Sequence, residues 1–375
     1  MNIAIDARSL GTGRAIDIYT RNIVDNLLSI DKENSYILVI DDLNKLKEIN
    51  NKNYTIKQIP KKIVFRDHLL FKQFLSDLSI DLVFHPDNTE FLFCFPKSVV
   101  VIHDIIPIKF PRLVLSKNPL QFLKQKAYFY LQERALKKAS KIISVSKNTK
   151  TDLIEILKIP SEKVEVVYEG IEERFKREPK EKVDKVKKKY KIEDEYIFYL
   201  GGFGAHKNVL NLIEAFNNLE KKFTGTLVLG GTTEDKSSPR VILPEIRQKI
   251  KNHKLSKRVI FTGFIAEGDL PALYSGTKVF VYPSLYEGFG RPPLEALACG
   301  SLVVVSNTAS LPEVVGEAGI YIDPNNVYSI EQGLLKALQL SVMEKEDIQK
   351  KVVVQLKKFS WETSATETLE IFSSQ

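Results

Sequence analysis

The chain has 375 residues, 43% of them hydrophobic and 27% charged, which excludes a disordered or fibrous protein and gives enough length for two domains. Two cysteines, Cys94 and Cys299, have neither CxxC spacing nor a nearby histidine pair, so neither a disulfide framework nor a zinc site is supported. The net charge of +8 suits an anionic partner; no RNA-binding or zinc-finger spacing is present, and solvated lysines on helix faces account for most of the excess.

The first strand, "NIAID", follows Met1 with no basic-then-apolar leader, which predicts a cytoplasmic protein. After it comes "DARSLGTGR", where Gly11 and Gly13 give a flexible turn able to approach a substrate but lack GxGxxG spacing. Short β-branched runs ("SYILVI", "DLVFH", "SVVVIHD", "KIISVS") then alternate with segments of helical period such as "AIDIYTRNIVDNLLSI". Strands spaced by amphipathic helices predict a parallel sheet covered on both faces, a doubly wound α/β domain. His103 and Asp104 directly follow a central strand, where such a sheet holds its ligands. "FRDHLLFKQFL" and "NPLQFLKQKAYFYLQERALKKASK" mix aromatics with lysines, a composition that can dock an acidic membrane surface, but core-facing stripes with solvated lysines are the favoured reading. The apolar run "FLFCFPKSVVVIHDIIPI" is broken by prolines and charges and does not read as a bilayer span.

At 169–191 the texture turns to "EGIEERFKREPKEKVDKVKKKYK", and the interdomain linker is expected at its start, dividing the chain into 1–170 and 171–359. The alternation restarts with "EYIFYLGG", "GTLVLGG", "RVIFTGF", "KVFVYPS" and "SLVVVS", a second doubly wound domain. In "YLGGFGAHKN" a strand ends at Gly201 and Gly202, and Lys207 with Asn208 opens a helix, an arrangement suited to a diphosphate. In "SLYEGFGRPPLEALACG" the loop carries Glu287, Gly288, Phe289 and Gly290, and Pro292 suits the first position of the next helix. Glycines let a ligand approach, the helix end favours a phosphate, and Glu295, expected in the first turn, can accept from vicinal hydroxyls while Glu287 does so for a sugar. A tight turn and a dipole-favoured Glu explain either glutamate taken singly. Together they are more specific, and a ligand cleft is expected between the two domains.

The set "VIHD", "GG…HKN", "VIFTGF", "YPSLYEGFGRPPLEALACG" and "FSWE" resembles glycosyltransferase family 4, retaining enzymes of the GT-B fold. The resemblance runs from the first strand to the last helix, and its most specific element is the pair of glutamates around Phe-Gly-x-Pro-Pro. It implies two Rossmann-like domains facing a cleft, acceptor on the first and nucleotide-sugar donor on the second, with a terminal helix from about Ser360 (360–375) packing back on the first. It further implies catalytic roles for His103, Glu287 and Lys207. Substrate or donor contacts are implied for Gly11, Gly13, Asp104, Gly202, His206, Gly263, Phe264, Gly288, Phe289, Gly290, Arg291 and Glu295. Lys207 would neutralise the diphosphate leaving group with no metal, and no cofactor is expected beyond the nucleotide-diphosphate sugar as co-substrate.

Three departures stand out. His206 occupies a position where the family commonly has Arg, and Arg291, where the family usually has an aliphatic residue, is expected to supply the missing charge to phosphate. The loop before "RAIDIYT" differs from the Gly-x-Gly-Arg-Tyr type, with Asp17 in its later part. His85 and Pro86 resemble a position near the cleft. The expected activity is transfer of a hexose, GDP-mannose being one donor, to a glycan or polyprenyl-linked glycan in polysaccharide or lipopolysaccharide synthesis. The enzyme would then sit in the cytoplasm or peripherally on the anionic inner face of the membrane. Rival readings are a glycoside hydrolase, a nucleotide-sugar epimerase of the same fold and a non-catalytic nucleotide-sugar-binding subunit; nucleic acid is not an expected partner.

Overall fold

Runs such as Ser98–Ile102 and Val303–Ser306 are buried along their whole length, as β-branched strands covered by helices on both faces must be. The structure, a computed structural model, describes residues 1–13, 15–51, 53–59, 75, 78–87, 97–116, 118–232 and 241–375. The chain forms two compact units. One comprises Met1–Ile108, Leu123–Gly170 and Phe359–Gln375, and the other comprises Lys109–Phe122 and Ile171–Lys358. Lys109–Phe122, which sequence reading placed within the first domain, groups with the second because Phe110 sets its ring edge-on against Tyr286 at 5.5 Å.

Among the described residues, the first unit holds β1 (Asn2–Asp6), β2 (Ser35–Ile40), β3 (Thr55–Gln58), β4 (Leu82–His85), β5 (Ser98–Ile102), β6 (Lys141–Ser144) and β7 (Val164–Val166). They pair in parallel in the order β3-β2-β1-β4-β5-β6-β7, so the order reverses between β1 and β4. The helix Trp361–Ser373 belongs to this unit, capped by Ser360, with Trp361 edge-on to Tyr19 at 5.5 Å and Phe372 edge-on to Phe84 at 5.1 Å. Gly170 is obligatory beneath it: a Cβ there would lie 2.2 Å from the Trp361 backbone nitrogen.

The second unit holds β8 (Tyr196–Leu200), β9 (Thr226–Gly230), β10 (Val259–Gly263), β11 (Val279–Tyr282), β12 (Val303–Ser306) and β13 (Gly319–Ile322). Their order is β10-β9-β8-β11-β12-β13, again all parallel, with the reversal between β8 and β11. The helix Val209–Asn218 buries Val209, Leu212, Ile213, Ala215 and Phe216, the three-and-four spacing that presents one face to a sheet. In each unit the strand order thus reverses between two neighbouring strands, and the region outside the carboxyl ends of such strands is where doubly wound sheets bind ligands.

Candidate functional site

In the second unit, the reversal brings together two loops some 80 residues apart. After β8 the chain makes a short 3-10 turn, Ala205–Lys207, and Asn208 takes a left-handed conformation (φ 60°) before the next helix. Its buried amide donates to the Pro283 and Pro324 carbonyls at 3.0 and 2.6 Å, tying this loop to those that follow β11 and β13. Asn208 is thus a strut, and Lys207 is the group it presents.

After β11 comes the buried run Tyr286–Gly290. Ser310 donates to the Glu287 and Phe289 carbonyls at 3.0 and 2.6 Å and holds its curvature. Gly290 has φ +111°, and a Cβ would lie 2.7 Å from Leu311 Cδ2, so the turn demands glycine. The helix Arg291–Ala298 starts immediately after it. Pro292 is therefore its second residue rather than its first. Glu295 is the fifth, in the second turn and not the first, because the left-handed Gly290 and not a proline sets the helix start.

Lys207 donates to both Glu287 oxygens at 2.7 and 3.0 Å and to the Tyr282 hydroxyl at 3.1 Å. Glu287 is only 8% exposed. Burial alone would raise its carboxyl, but the Lys207 charge outweighs it and holds Glu287 below the usual carboxylate range. His206 is pushed the other way: burial and the neighbouring ammonium lower it to about 4. It is neutral at pH 7 and adds no fixed charge where the family commonly has Arg.

Arg291 lies 3.4 Å from Glu295 Oε1 and 3.9 Å from Glu172 Oε2, so the guanidinium expected to face a phosphate faces two carboxylates here. Glu295 is 6% exposed and also accepts from the Tyr274 hydroxyl at 2.8 Å. Burial raises its carboxyl above the ordinary range despite Arg291. Glu172 in turn pairs with Arg174 at 2.8 Å. Gly202 has nothing within 4 Å of a notional Cβ, an open backbone at the end of β8. Gly263 (φ +69°) ends β10, and the Phe264 ring beside it is 74% exposed. Among the described residues, no cluster of His, Cys, Asp or Glu has the form of a metal site.

In the first unit, His103 Nε2 lies 2.9 Å from the Pro86 carbonyl and Nδ1 lies 3.4 Å from Glu169 Oε1, with the Tyr19 ring edge-on at 4.7 Å. Asp104 accepts from the Ile106 amide at 2.8 Å and shapes the turn after β5. Gly11 and Gly13 have φ of +67° and +66°. Their amides, expected to approach a substrate, donate instead to the buried Asp17 carboxylate at 3.0 and 2.8 Å. The residue that departs from the family pattern therefore supplies an internal anion to this loop. His85 lies 3.4 Å from Asp6, which also binds Arg8, a charged cluster at the β1/β4 reversal. Beside His103 a cavity of about 340 Å³ is lined by Ile105, Ile108, Tyr128, Phe129 and Gln132, among others.

Sequence reading thus named Lys207, Glu287, Glu295 and Arg291, which the fold brings together, and placed His103 and Asp104 correctly after their strand. It missed Tyr282, Tyr274, Glu172 and Glu169. The tyrosines read as strand and helix core, and both glutamates lie in or beside the charged stretch that reads as linker. The aromatic and lysine segment 119–136 was expected to face the core. Instead it forms the helix Pro119–Leu136, which leaves Leu120, Leu123, Tyr130 and Leu131 exposed. Of the other such segment, at 65–75, only Leu75 is among the described residues, and Cys94 is not. Among the described residues, no helix is long and apolar enough to cross a membrane.

Residues 49–175 match the family model Glycosyltransferase Family 4, and residues 180–352 match Glycosyl transferases group 1. The chain is 32% identical over 283 residues to the serotype-specific mannosyltransferase WbdA of Escherichia coli, covering 74% of this chain and 33% of that one. It is 29% identical over 297 residues to the O-antigen chain mannosyltransferase B of Escherichia coli, covering 78% and 74%. The chain therefore spans about a third of the WbdA proteins it matches. Among solved structures, Anabaena Alr3699/HepE in complex with UDP-glucose superposes with a TM-score of 0.78 at 18% identity, covering 100% of both chains. WaaG, a glycosyltransferase involved in lipopolysaccharide biosynthesis, gives 0.75 at 15% identity, covering 97% and 98%. At these identities the likeness is one of fold.

Proposed function

Because this chain belongs to glycosyltransferase family 4, we propose that it transfers a mannosyl group from a nucleoside diphosphate sugar, GDP-mannose, to a glycan or polyprenyl-linked glycan, with retention of anomeric configuration. The observation that carries the reading is the Lys207–Glu287 pair at the β8/β11 reversal, beside the Gly288–Gly290 turn and the start of the Arg291–Ala298 helix. A diphosphate seated there meets backbone amides and the positive end of the helix. The Lys207 ammonium exchanges Glu287 for the departing phosphate, whose charge grows in the transition state, and Glu287 is then free to accept from sugar hydroxyls. Glu295 releases Arg291 to take the ribose hydroxyls, and Arg291 turns to a phosphate oxygen. The exposed Phe264 ring offers a stacking surface for the base. In the transfer itself the bond from C1 to the phosphate oxygen breaks, the bond from C1 to the acceptor oxygen forms on the same face, and the acceptor proton passes to the departing phosphate.

Lys207 and the helix end supply the positive charge, so no metal is invoked, and transfer should persist in EDTA. The names of the mannosyltransferase relatives support mannose as the sugar. The exposed apolar residues of the Pro119–Leu136 helix, flanked by Lys124, Lys126 and Arg134, support peripheral contact with an anionic membrane. Flotation with anionic but not neutral liposomes is the expected result, and flotation with neither removes that part. The reaction is tested by incubating the protein with GDP-mannose labelled in the sugar and a mannose-terminated oligosaccharide. A lengthened oligosaccharide with the donor's anomeric configuration supports the proposal. Free mannose alone, an epimerised donor or an untouched donor would each point instead to a hydrolase, an epimerase or a binding subunit.

A further inference from the structure

We propose that Glu169 is a positioning residue for His103, holding the imidazole as a doubly protonated, oriented cation that enters the reaction as a fixed positive charge and not as a base. The inference rests on the reading that this chain transfers sugars from a nucleoside diphosphate, and it gives His103 a role that its place after β5 leaves open.

The geometry leaves little choice of protonation. A carbonyl oxygen only accepts, so the 2.9 Å contact with Pro86 requires a hydrogen on Nε2. The other nitrogen, Nδ1, faces the Glu169 carboxylate at 3.4 Å, and an ionised carboxylate also only accepts. With both nitrogens turned to acceptors, the ring has no lone pair with which to remove a proton from an acceptor hydroxyl. Glu169 sits just beyond β7 and is 4% exposed, so its charge is little screened by solvent. Its position is fixed from the next residue: Gly170 lies against the backbone of Trp361, and Trp361 packs on Tyr19. Tyr19 in turn packs on His103.

The groups that face the ring come from three elements. Glu169 approaches from the end of β7, the Pro86 carbonyl and the Asp87 carboxylate from the end of β4, and the Tyr19 phenol from the helix Ala15–Ile30. Burial keeps Tyr19 neutral, so it does not compete for the charge. Burial also disfavours charge on His103, but Glu169 first, and the Pro86 carbonyl and Asp87 after it, reverse that and raise its pKa above the ordinary value. Activity that needs the imidazolium is therefore complete at low and neutral pH and is lost as pH rises through this raised value.

The test uses the full chain labelled with 15N at histidine. The chain has five histidines, and the His103 signals are assigned from the spectrum of His103→Gln. In the wild type both ring nitrogens are expected to be protonated at neutral pH, with a titration midpoint above 6.5. Glu169→Gln, close in shape but uncharged, should lower that midpoint by about 1 unit or more, and Glu169→Asp should recover part of the shift. The alkaline limb of kcat/KM with GDP-mannose should move down by the same amount, with KM nearly constant. Melting curves of the two variants separate this from loss of folding. A neutral His103 in the wild type, or a titration indifferent to Glu169→Gln, overturns the proposal. So does a titration that moves while the limb of kcat/KM stays in place. If the wild type transfers nothing from GDP-mannose, the transferase reading fails, while the titration still decides whether Glu169 holds the His103 proton.

Discussion

At the scale of single residues, the account depends on two charges that neutralise each other until a ligand arrives. Lys207 and Glu287 are both largely buried, their side chains 16% and 11% exposed, so removing one partner strands the other. Lys207→Met or Glu287→Gln alone should cost about 3 kcal/mol of stability, the low end for a buried pair. The double variant should recover part of that loss in chemical denaturation. Turnover should behave differently: Lys207→Met should lower kcat about 10²- to 10³-fold, with no recovery in the double variant, because the leaving diphosphate has lost its cation either way. Parallel recovery of stability and turnover would make the pair a structural one only. His206 gives a pH signature of opposite origin. Its folded pKa, about 4, lies below the ordinary 6.5, so the unfolded chain takes up this proton first as pH falls. Stability should therefore drop between pH 6.5 and about 4 and lose nothing further from this group below that. His206→Gln should flatten the fall in melting temperature over that window, and an unchanged profile would mean that the imidazole is not held neutral.

At the scale of elements, the candidate site sits where strand order reverses, and the loops there are built to hold shape. Gly290 shows how narrow the tolerance is. Its φ of +111° and the 2.7 Å approach of Leu311 to a notional Cβ both oppose any side chain. Gly290→Ala should cost about 1 to 3 kcal/mol and raise the donor KM, because the helix start and the amides of the turn shift together. Calorimetry and initial-rate kinetics read the two effects, and a variant with wild-type melting and KM would contradict the assignment. This scale also explains what was legible in the sequence and what was not. Strands announce themselves by β-branched runs, and residues just after a strand end are exposed to a ligand by topology, so Lys207, Glu287 and His103 could be named from pattern alone. The start of the Arg291–Ala298 helix was displaced because two prolines mark a helix start well but do not say which residue before them turns left-handed. The partners of the site were hidden for a different reason. Tyr282 and Tyr274 look like any buried aromatic. Glu169 and Glu172 look like solvated linker charge until the fold buries one beside His103 and sets the other near Arg291. Burial of a charge is a tertiary event, and no local period records it.

At the scale of the whole molecule, two sheets built on the same doubly wound plan carry different chemistry at the same topological place. The second unit gathers an ammonium, a glycine turn and a helix end, groups that suit a diphosphate. The first gathers buried carboxylates, and they are already matched: Asp6 to Arg8 and His85, Asp17 to the amides of Gly11 and Gly13, Glu169 to His103. The amides of Gly11 and Gly13 are thus satisfied from within, which supports the proposal that the second unit carries the donor's phosphates. The net charge of +8 is compatible with this division but did not reveal it, since lysines on helix faces dominate the sum. The most direct measurement is a crystal structure of the chain with GDP. The account predicts the diphosphate against the amides of Gly288–Gly290, within hydrogen-bonding distance of Lys207 Nζ, and the ribose hydroxyls on Glu295. A nucleotide bound elsewhere, with Lys207 still paired to Glu287 and Glu295 to Arg291, would contradict it.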